Sequence, residues 1–449
     1  MKIHLIAIGG SIMHNLALAL QQKGYQITGS DDHIYEPAYS RLKIKGILPN
    51  EFGWDDHRIT KDIDIVILGM HAKPDNPELL KALDLGIKIV SFPEFTYEQS
   101  KEKKRVVIAG SHGKTSVTAM VMHVLKKYDY DFDYAVGSSI SGFENSVKLS
   151  DAPVIIIEGD EYLSSPIDRR PKFLWYKPQI ALINGIAWDH INVFPTYEIY
   201  KEQFRDFIVL MQSGNELFYY ADDSETVELV QECGKQLRTI PVDLPEFQIN
   251  NGETTILIGN KAYPISVFGK HNLQNLSGAQ KICESLGLEA SDFWKAASDF
   301  TGAGKRLEKI LNQNDIKAFR DFAHAPSKVK ATVNAVKNQF PEKKLVAVLE
   351  LHTFSSLNKD FIVQYANTLK DADLAIVFVD NKALASKGGD VYTQDQIKEA
   401  FQKNDILFFD NSSFLLKSIK HLVSQENTLL FMSSGNFGGL DIEGMINNQ

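Results

Sequence analysis

Lys114 and Thr115 follow directly on Gly110-Ser111-His112-Gly113, and this run leaves an apolar stretch from Val106 to Ala109. That order builds a phosphate-binding loop. Glycines let backbone N–H groups approach phosphate oxygens, and the start of the following helix, Ser116 included, favours negative charge. The amine reaches the terminal phosphates and the hydroxyl can ligate Mg2+. The position five residues before Gly113 is usually glycine and here is Ile108, so the loop is short at its start.

Carboxylates and a histidine stand where such a loop would need them. Glu158, Asp160 and Glu161 follow the apolar run Val154 to Ile157, and Asp189-His190 follow Ile180 to Asn184. In an open α/β sheet the loops at the carboxyl ends of strands line the ligand crevice, where such oxygens can hold a divalent cation. Alone, each cluster reads as a solvated loop; beside Lys114 and Thr115 they read as a metal-nucleotide site. His271 and Asn275 open a helical pattern and, taken alone, read as a polar helix start. Ser30 and Asp31, after the second strand, read on their own as a turn or a helix cap.

The elements that must position these groups alternate. Ile3 to Ile8, Ile27 to Thr28, Ile63 to Leu68 and Ile87 to Val90 read as strands, with helices at Ile12 to Lys23 and Pro77 to Leu85. This predicts a doubly wound parallel sheet. The polar stretch Glu98 to Arg105 breaks the pattern, and a Gly-containing segment at Thr301 to Gly304 breaks it again. The expectation is therefore an α/β chain of three domains: a Rossmann-like domain at 1–102, a central P-loop ATPase-type mixed-sheet domain at 103–304 with hairpin-like alternation from Thr254 to Phe268, and a Rossmann-like domain at 305–449 with strands near Ile316 to Phe319, Leu345 to Leu349, Leu374 to Val379 and Thr428 to Met432.

With 48 Lys and Arg against 57 Asp and Glu the net charge is −9, which offers no attraction to nucleic acid or an anionic membrane surface. The two cysteines, Cys233 and Cys283, make neither a disulfide framework nor a zinc site. The N-terminus lacks the basic region and long apolar core of a signal peptide, and no run reaches membrane-spanning length, so a cytoplasmic protein is expected. Oligomeric state is left open.

In order along the chain, these residues resemble the Mur ligases. Gly110 to Thr115 is close to the family's G-T-H-G-K-T, Glu158-Gly159-Asp160-Glu161 to its E-A-D-E, and Asn184 to His190 to its N-x-x-x-D-H. His271-Asn272-Leu273-Gln274-Asn275 is similar to H-N-x-x-N, and Arg320-Asp321-Phe322-Ala323-His324 to D-D-[FY]-[AG]-H. Asp168 to Phe173 and Ser433 to Gly439 resemble segments of those members that join UDP-N-acetylmuramate to L-alanyl-γ-D-glutamyl-meso-diaminopimelate.

The resemblance implies an ATP- and Mg2+-dependent ligase that makes an amide through an acyl phosphate. It gives Lys114 and Thr115 to ATP phosphate and Mg2+, Glu158 and His190 to magnesium, and His271 and Asn275 to adenine. Arg306 and Asp321 would close over the nucleotide, with Lys305 where relatives carry another arginine. Gly10, Ser11, Ser30 and Asp31 would meet the UDP portion, and His324 or His352 would serve as general base. After the strand ending near Glu350, L-alanine ligases show P-H-R-x-x-R, whereas Thr353 and Ser356 occupy the arginine positions here. The tripeptide-using members also lack both arginines, so a tripeptide amine is expected, with L-alanine as the alternative.

Departures from the family pattern are specific. Ala7, His14 and Asn15 stand where relatives have glycines, and Ala325 replaces a second histidine. No counterpart of the carbamylated lysine of other members is evident, although Lys201 is nearby. A nicotinamide oxidoreductase, read from Gly9-Gly10 and Asp31, lacks G-x-G-x-x-G and leaves the phosphate loop unexplained. The alternative of another class is a non-catalytic nucleotide-binding protein, against which the presence of Lys114, Thr115, Glu158 and His190 together argues.

Overall fold

The computed structural model describes residues 1–304, 306–313, 316–381, 384 and 391–447. Its first sheet is four-stranded and wholly parallel, in the spatial order Gln26–Ser30, Lys2–Ile6, Ile65–Leu68 and Lys88–Ser91. The two central strands are apolar and largely buried, as a parallel sheet covered by helices requires, whereas the edge strand Gln26–Ser30 exposes Gln26 and Thr28. The expected first strand, Ile3 to Ile8, stops at Ile6 because Ala7 turns into the left-handed region with φ 65°. Ile8 stays buried under that turn.

The second sheet has seven strands, in the order Arg238–Val242, Glu216–Tyr220, Ile180–Ile183, Lys104–Ala109, Val154–Glu158, Phe132–Ala135 and Val147–Lys148, with only the last pair antiparallel. The stretch expected to be a polar break is structured. Ser91 and Glu94 form a capping box that starts a helix, Phe92–Ser100, and the next strand already begins at Lys104. Arg105 is buried, and its guanidinium donates to the carbonyls of Tyr176, Lys177, Ser100, Lys101 and Lys103.

Chain contacts separate two compact units: 1–188, 193–243 and 278–293 form one, and 189–192, 244–277 and 294–449 form the other. Both sheets above belong to the first, where one apolar cluster runs from Ile3 and Leu16 through Val107 and Ile157 to Phe204. Arg41 adds a polar tie within it, donating to Asn15 Oδ1 at 2.9 Å and to the Glu144 carbonyl at 3.0 Å. His14 and Asn15 thus replace two expected glycines with side chains that have packing partners. Cys283 is buried and Cys233 half-buried, both as free thiols.

The second unit contains a three-stranded antiparallel sheet, Phe247–Asn250, Glu253–Ile258 and Lys261–Ile265. It also holds a six-stranded sheet in the order Glu308–Gln313, Ile316–Asp321, Asn427–Met432, Lys344–Glu350, Leu374–Phe378 and Leu407–Phe409. Only Glu308–Gln313 runs antiparallel. The carboxyl ends of Ile316–Asp321, Lys344–Glu350 and Asn427–Met432 therefore lie together, and the loops that leave them carry Phe322 to His324, His352 and Ser433 to Gly439.

Candidate active site

In the first unit the strand Lys104–Ala109 delivers the chain into Gly110, whose φ is 122°. A Cβ there would come within 2.6 Å of the Asn184 nitrogen, so only glycine fits. The turn is sewn to the neighbouring strand end: Ser111 N–H donates to the Gly185 carbonyl at 3.0 Å, and Asn184 Nδ2 to the His112 carbonyl at 2.7 Å. Gly113, at φ 67°, then opens the helix Lys114–Lys127, in which Thr115 and Ser116 are buried.

Lys114 folds back into the loop. Its ammonium lies 2.7 Å from the Gly110 carbonyl and 2.5 Å from Glu161 Oε2. Burial works against its charge, but the carboxylates of Glu161, Asp160 and Glu158 outweigh that and hold it above the ordinary lysine range. Thr115 Oγ1 donates to Glu158 Oε1 at 2.7 Å, and Gly137 N–H donates to Glu158 Oε2 at 3.0 Å. A hydroxyl beside a carboxylate is an all-oxygen donor pair of the kind a hard cation takes, so Thr115 and Glu158 fit Mg2+.

The segment after Glu161 braces itself. Asp168 accepts from Arg170 at 2.9 and 3.0 Å and from Trp175 Nε1 at 2.8 Å, while Lys172 reaches back to Asp160 at 2.6 Å. Lys201, the lysine nearest the expected position of a carbamylated one, pairs instead with Glu225 and Glu228 at 2.7 and 2.6 Å.

At the end of the first sheet, Asp31 accepts the Gly9 N–H at 2.7 Å and holds the turn that leads through Gly10 into the helix Ser11–Gln22. Burial pushes the Asp31 carboxyl up to about 6, against the lowering effect of that N–H. Ser11 is exposed, and its hydroxyl donates to the Gly137 carbonyl at 3.2 Å. Ser30, expected to meet substrate, points the other way. It is fully buried, and its hydroxyl donates to Glu78, which His4 also contacts. That hydroxyl is committed to the interior of the sheet.

In the second unit, His190 has φ 56°, and its N–H donates to Asp189 Oδ1 at 2.8 Å. Asp189 also lies 3.2 Å from Lys328. Burial opposes its charge, yet Lys328, His190 and His324 hold it well below the usual carboxylate range. His324 Nδ1 lies 2.7 Å from the Phe322 carbonyl and must donate to it, which leaves Nε2 as the acceptor of a neutral ring. Burial and the nearby Lys328 cation keep that ring neutral, lowering its pKa to about 4.

Asp321 is buried and holds a turn. It accepts from the Leu307 and Ala323 N–H groups and, at 3.3 Å, from Thr332 Oγ1. Leu307 follows Arg306, whose guanidinium sits 4.7 Å over the Phe322 ring. Lys305 lies outside the described residues. His271 and Asn275 sit one turn apart at the start of the helix Lys270–Ser285, and burial lowers the His271 imidazole below its ordinary range. His352 is exposed, and the glycine-rich turn after Met432 rests on it: a Cβ on Gly435 would lie 2.9 Å from its ring and 2.7 Å from Glu350 Oε2. Buried Glu350 binds that turn through the Ser433 hydroxyl and the Phe437 N–H.

Sequence reasoning missed Glu350, Lys328 and Tyr200. Lys328 stands four residues beyond His324, in the first turn of the helix Pro326–Gln339, and Glu350 reads as the polar end of an apolar strand.

Comparison with known proteins decides the family. A Mur ligase family catalytic-domain model matches residues 2–104, a Mur ligase middle-domain model 108–283, and a Mur ligase glutamate-ligase-domain model 305–435. The chain belongs to the Mur ligase family. Mur ligases are ATP-dependent enzymes that form amide bonds, and this chain is an enzyme of that class. The UDP-N-acetylmuramate--L-alanyl-γ-D-glutamyl-meso-2,6-diaminoheptandioate ligase of Haemophilus influenzae is 29% identical over 98% of this chain and 97% of its own length. A UDP-N-acetylmuramate--L-alanine ligase of Caldicellulosiruptor bescii is 30% identical over 84% of this chain and 83% of its own.

Solved Mur ligases share the fold. The murein peptide ligase of Psychrobacter arcticus superposes with a TM-score of 0.66 at 23% identity, covering 100% of this chain and 98% of that one. The UDP-N-acetylmuramate-alanine ligase of Thermotoga maritima gives 0.73 at 21%, with the same coverage. Among the described residues no helix is long and apolar enough to cross a membrane.

Proposed function

We propose that this Mur ligase joins the lactyl carboxylate of UDP-N-acetylmuramate to the amine of L-alanyl-γ-D-glutamyl-meso-diaminopimelate or a related tripeptide, using ATP and Mg2+ in the cytoplasm. The observation that carries the choice of amine is the pair Thr353 and Ser356 where arginines would grip a single amino acid. Likeness over nearly full length to the Haemophilus enzyme supports it. The L-alanine reading rests on the comparable identity to the Caldicellulosiruptor enzyme.

In the first step a carboxylate oxygen attacks the γ-phosphorus of ATP and the bond to the ADP oxygen breaks. Charge on the transferring phosphoryl group is the main electrostatic problem, and the ammonium of Lys114 and the N–H groups of Gly113 to Thr115 are the chain's answer to it. Thr115 and Glu158 would hold Mg2+, with His190 as a further support; when bound, the metal supplies charge neutralisation on the phosphates. In the second step the amine attacks the acyl carbon, phosphate leaves, and a base takes the amine proton. Neutral His324, with its lone pair at Nε2, suits that role, with His352 as the other candidate. Arg306 adds positive charge, and Asp321 serves by fixing the turn that carries it. His271 and Asn275 remain the adenine contacts, and Gly10, Ser11 and Asp31 those for the UDP portion.

Steady-state kinetics with each amine at matched ATP and UDP-N-acetylmuramate tests the reading. It requires kcat/KM for the tripeptide at least tenfold above that for L-alanine, and efficient alanine use with no tripeptide product removes it.

A further inference from the structure

Tyr200 lies in the helix Tyr197–Val209 with its side chain fully buried. Phe194 and Phe204 grip the ring edge-on, with centroids 5.5 and 5.3 Å away. Inside this apolar grip its hydroxyl donates to Glu161 Oε1 at 3.1 Å and meets Ser111 Oγ at 2.7 Å.

The direction of every link follows from the donors at hand. The single phenolic proton is used on Glu161, so Ser111 must donate to the Tyr200 oxygen. The Ser111 oxygen, in turn, accepts the Ala187 N–H at 2.8 Å. The result is a one-way chain from the Ala187 N–H through the Ser111 and Tyr200 hydroxyls to the Glu161 carboxylate, which meets the Lys114 ammonium from its other oxygen at 2.5 Å. Aligned hydrogen bonds in a low-dielectric setting reinforce one another.

We propose that Tyr200 is a positioning residue for nucleotide use, acting through Glu161 on Lys114 and through Ser111 on the phosphate loop. This rests on the ATP reading above. Lys114 carries its charge on a four-carbon stem and Glu161 on a two-carbon one, so both would wander without an anchor. The phenol, locked by its ring packing, is the rigid member of the set. With Glu161 fixed by the phenol, the Lys114 ammonium is placed for phosphate before nucleotide arrives. The hydroxyl therefore lowers the ordering cost of nucleotide binding.

Tyr200→Phe in the full chain keeps the ring and removes only the hydroxyl. A fluorescent ADP analogue should bind it about three- to tenfold more weakly, the range that one buried hydrogen bond represents. KM for ATP should rise in parallel, while KM for UDP-N-acetylmuramate and the amine stay within twofold and the melting temperature within a few degrees. Removing the carboxylate's charge uncouples the two groups, so Tyr200→Phe should add little to the loss already caused by Glu161→Gln. A wild-type protein that binds the ADP analogue while Tyr200→Phe binds it equally well ends the proposal and leaves the ATP reading standing. So does a parallel rise in all three KM values, which marks a merely structural role. Failure of the wild type to bind the analogue at all ends both.

Discussion

Lys114 and Glu161 form a nearly buried ion pair, 2.5 Å apart, with side-chain exposures of 13% and 1%. The cation that should meet ATP phosphate is thus held in place by a carboxylate that water barely reaches. Lys114→Ala should lower ligation at least about a hundredfold, since a preorganised charge at a transferring phosphoryl group is worth that much. It should also remove the cation that pairs with the buried Glu161 carboxylate and lower the melting temperature by several degrees. Adding Glu161→Gln should restore the melting temperature and leave ligation lost. Turnover of Lys114→Ala within tenfold of wild type would remove the phosphate-loop assignment.

Magnesium dependence separates Glu158 from the other acids of its loop. Its two oxygens take the Thr115 hydroxyl and the Gly137 N–H, whereas Asp160 is paired with Lys172. Glu158→Ala should therefore raise the Mg2+ concentration for half-maximal rate about tenfold or more, and His190→Ala should raise it by a smaller factor. Unchanged magnesium titrations in both variants would place the metal elsewhere.

What could be read from the chain beforehand was whatever depends on neighbours in sequence. The phosphate loop, the strands on either side of it and the run of motifs need only local spacing, and the glycine demanded at Gly110 is visible as a glycine. Ala7 shows the limit of that reasoning. A non-glycine at an expected glycine position suggested a less permissive turn, yet the backbone holds φ 65° there. The helix Phe92–Ser100 was legible in Ser91, Pro93 and Glu94 but was hidden by the basic run after it. Tyr200 was out of reach. Tyr197, Tyr200, Phe204 and Phe207 make an apolar stripe at helical spacing, and the groups that give the Tyr200 hydroxyl its meaning lie 89 and 39 residues away.

Acid should weaken the fold through His324. Its folded-state pKa of about 4 lies below the ordinary 6.5, so between those values the unfolded chain takes up the proton and the folded one does not. Stability contributed by the neutral ring is present above pH 6.5 and is lost as pH falls toward 4. Buried His271 acts in the same direction, while Asp31, raised to about 6, acts in the opposite one. The informative quantity is the difference between wild type and His324→Asn, whose melting temperature should fall less from pH 7 to pH 5. Lys328→Met should bring the His324 titration back toward 6.5 in an NMR titration, because Lys328 repels the proton and Asp189 attracts it. A His324 that titrates near 6.5 in the wild type contradicts this account.

The reciprocal pairing of Thr353 and Ser356 leads to a prediction about the amine end. Thr353 N–H donates to Ser356 Oγ at 3.0 Å, and Ser356 N–H donates to Thr353 Oγ1 at 3.1 Å, closing a turn directly after His352. Ser356 is 1% exposed, so its hydroxyl serves the turn and does not face solvent. Simply restoring arginines should fail for this reason. Ser356→Arg must push a guanidinium through a packed turn, and it should lower the melting temperature without producing efficient L-alanine use. Thr353→Ala and Ser356→Ala each break the same reciprocal pair, each costing about 1 kcal/mol of local order. Each should therefore lower kcat/KM for the tripeptide about three- to tenfold, and the double variant should be little worse than the poorer single one, because interacting residues are not additive. If the two losses multiply, the turn does not act as a unit; if neither variant affects tripeptide use, the turn does not shape the amine site.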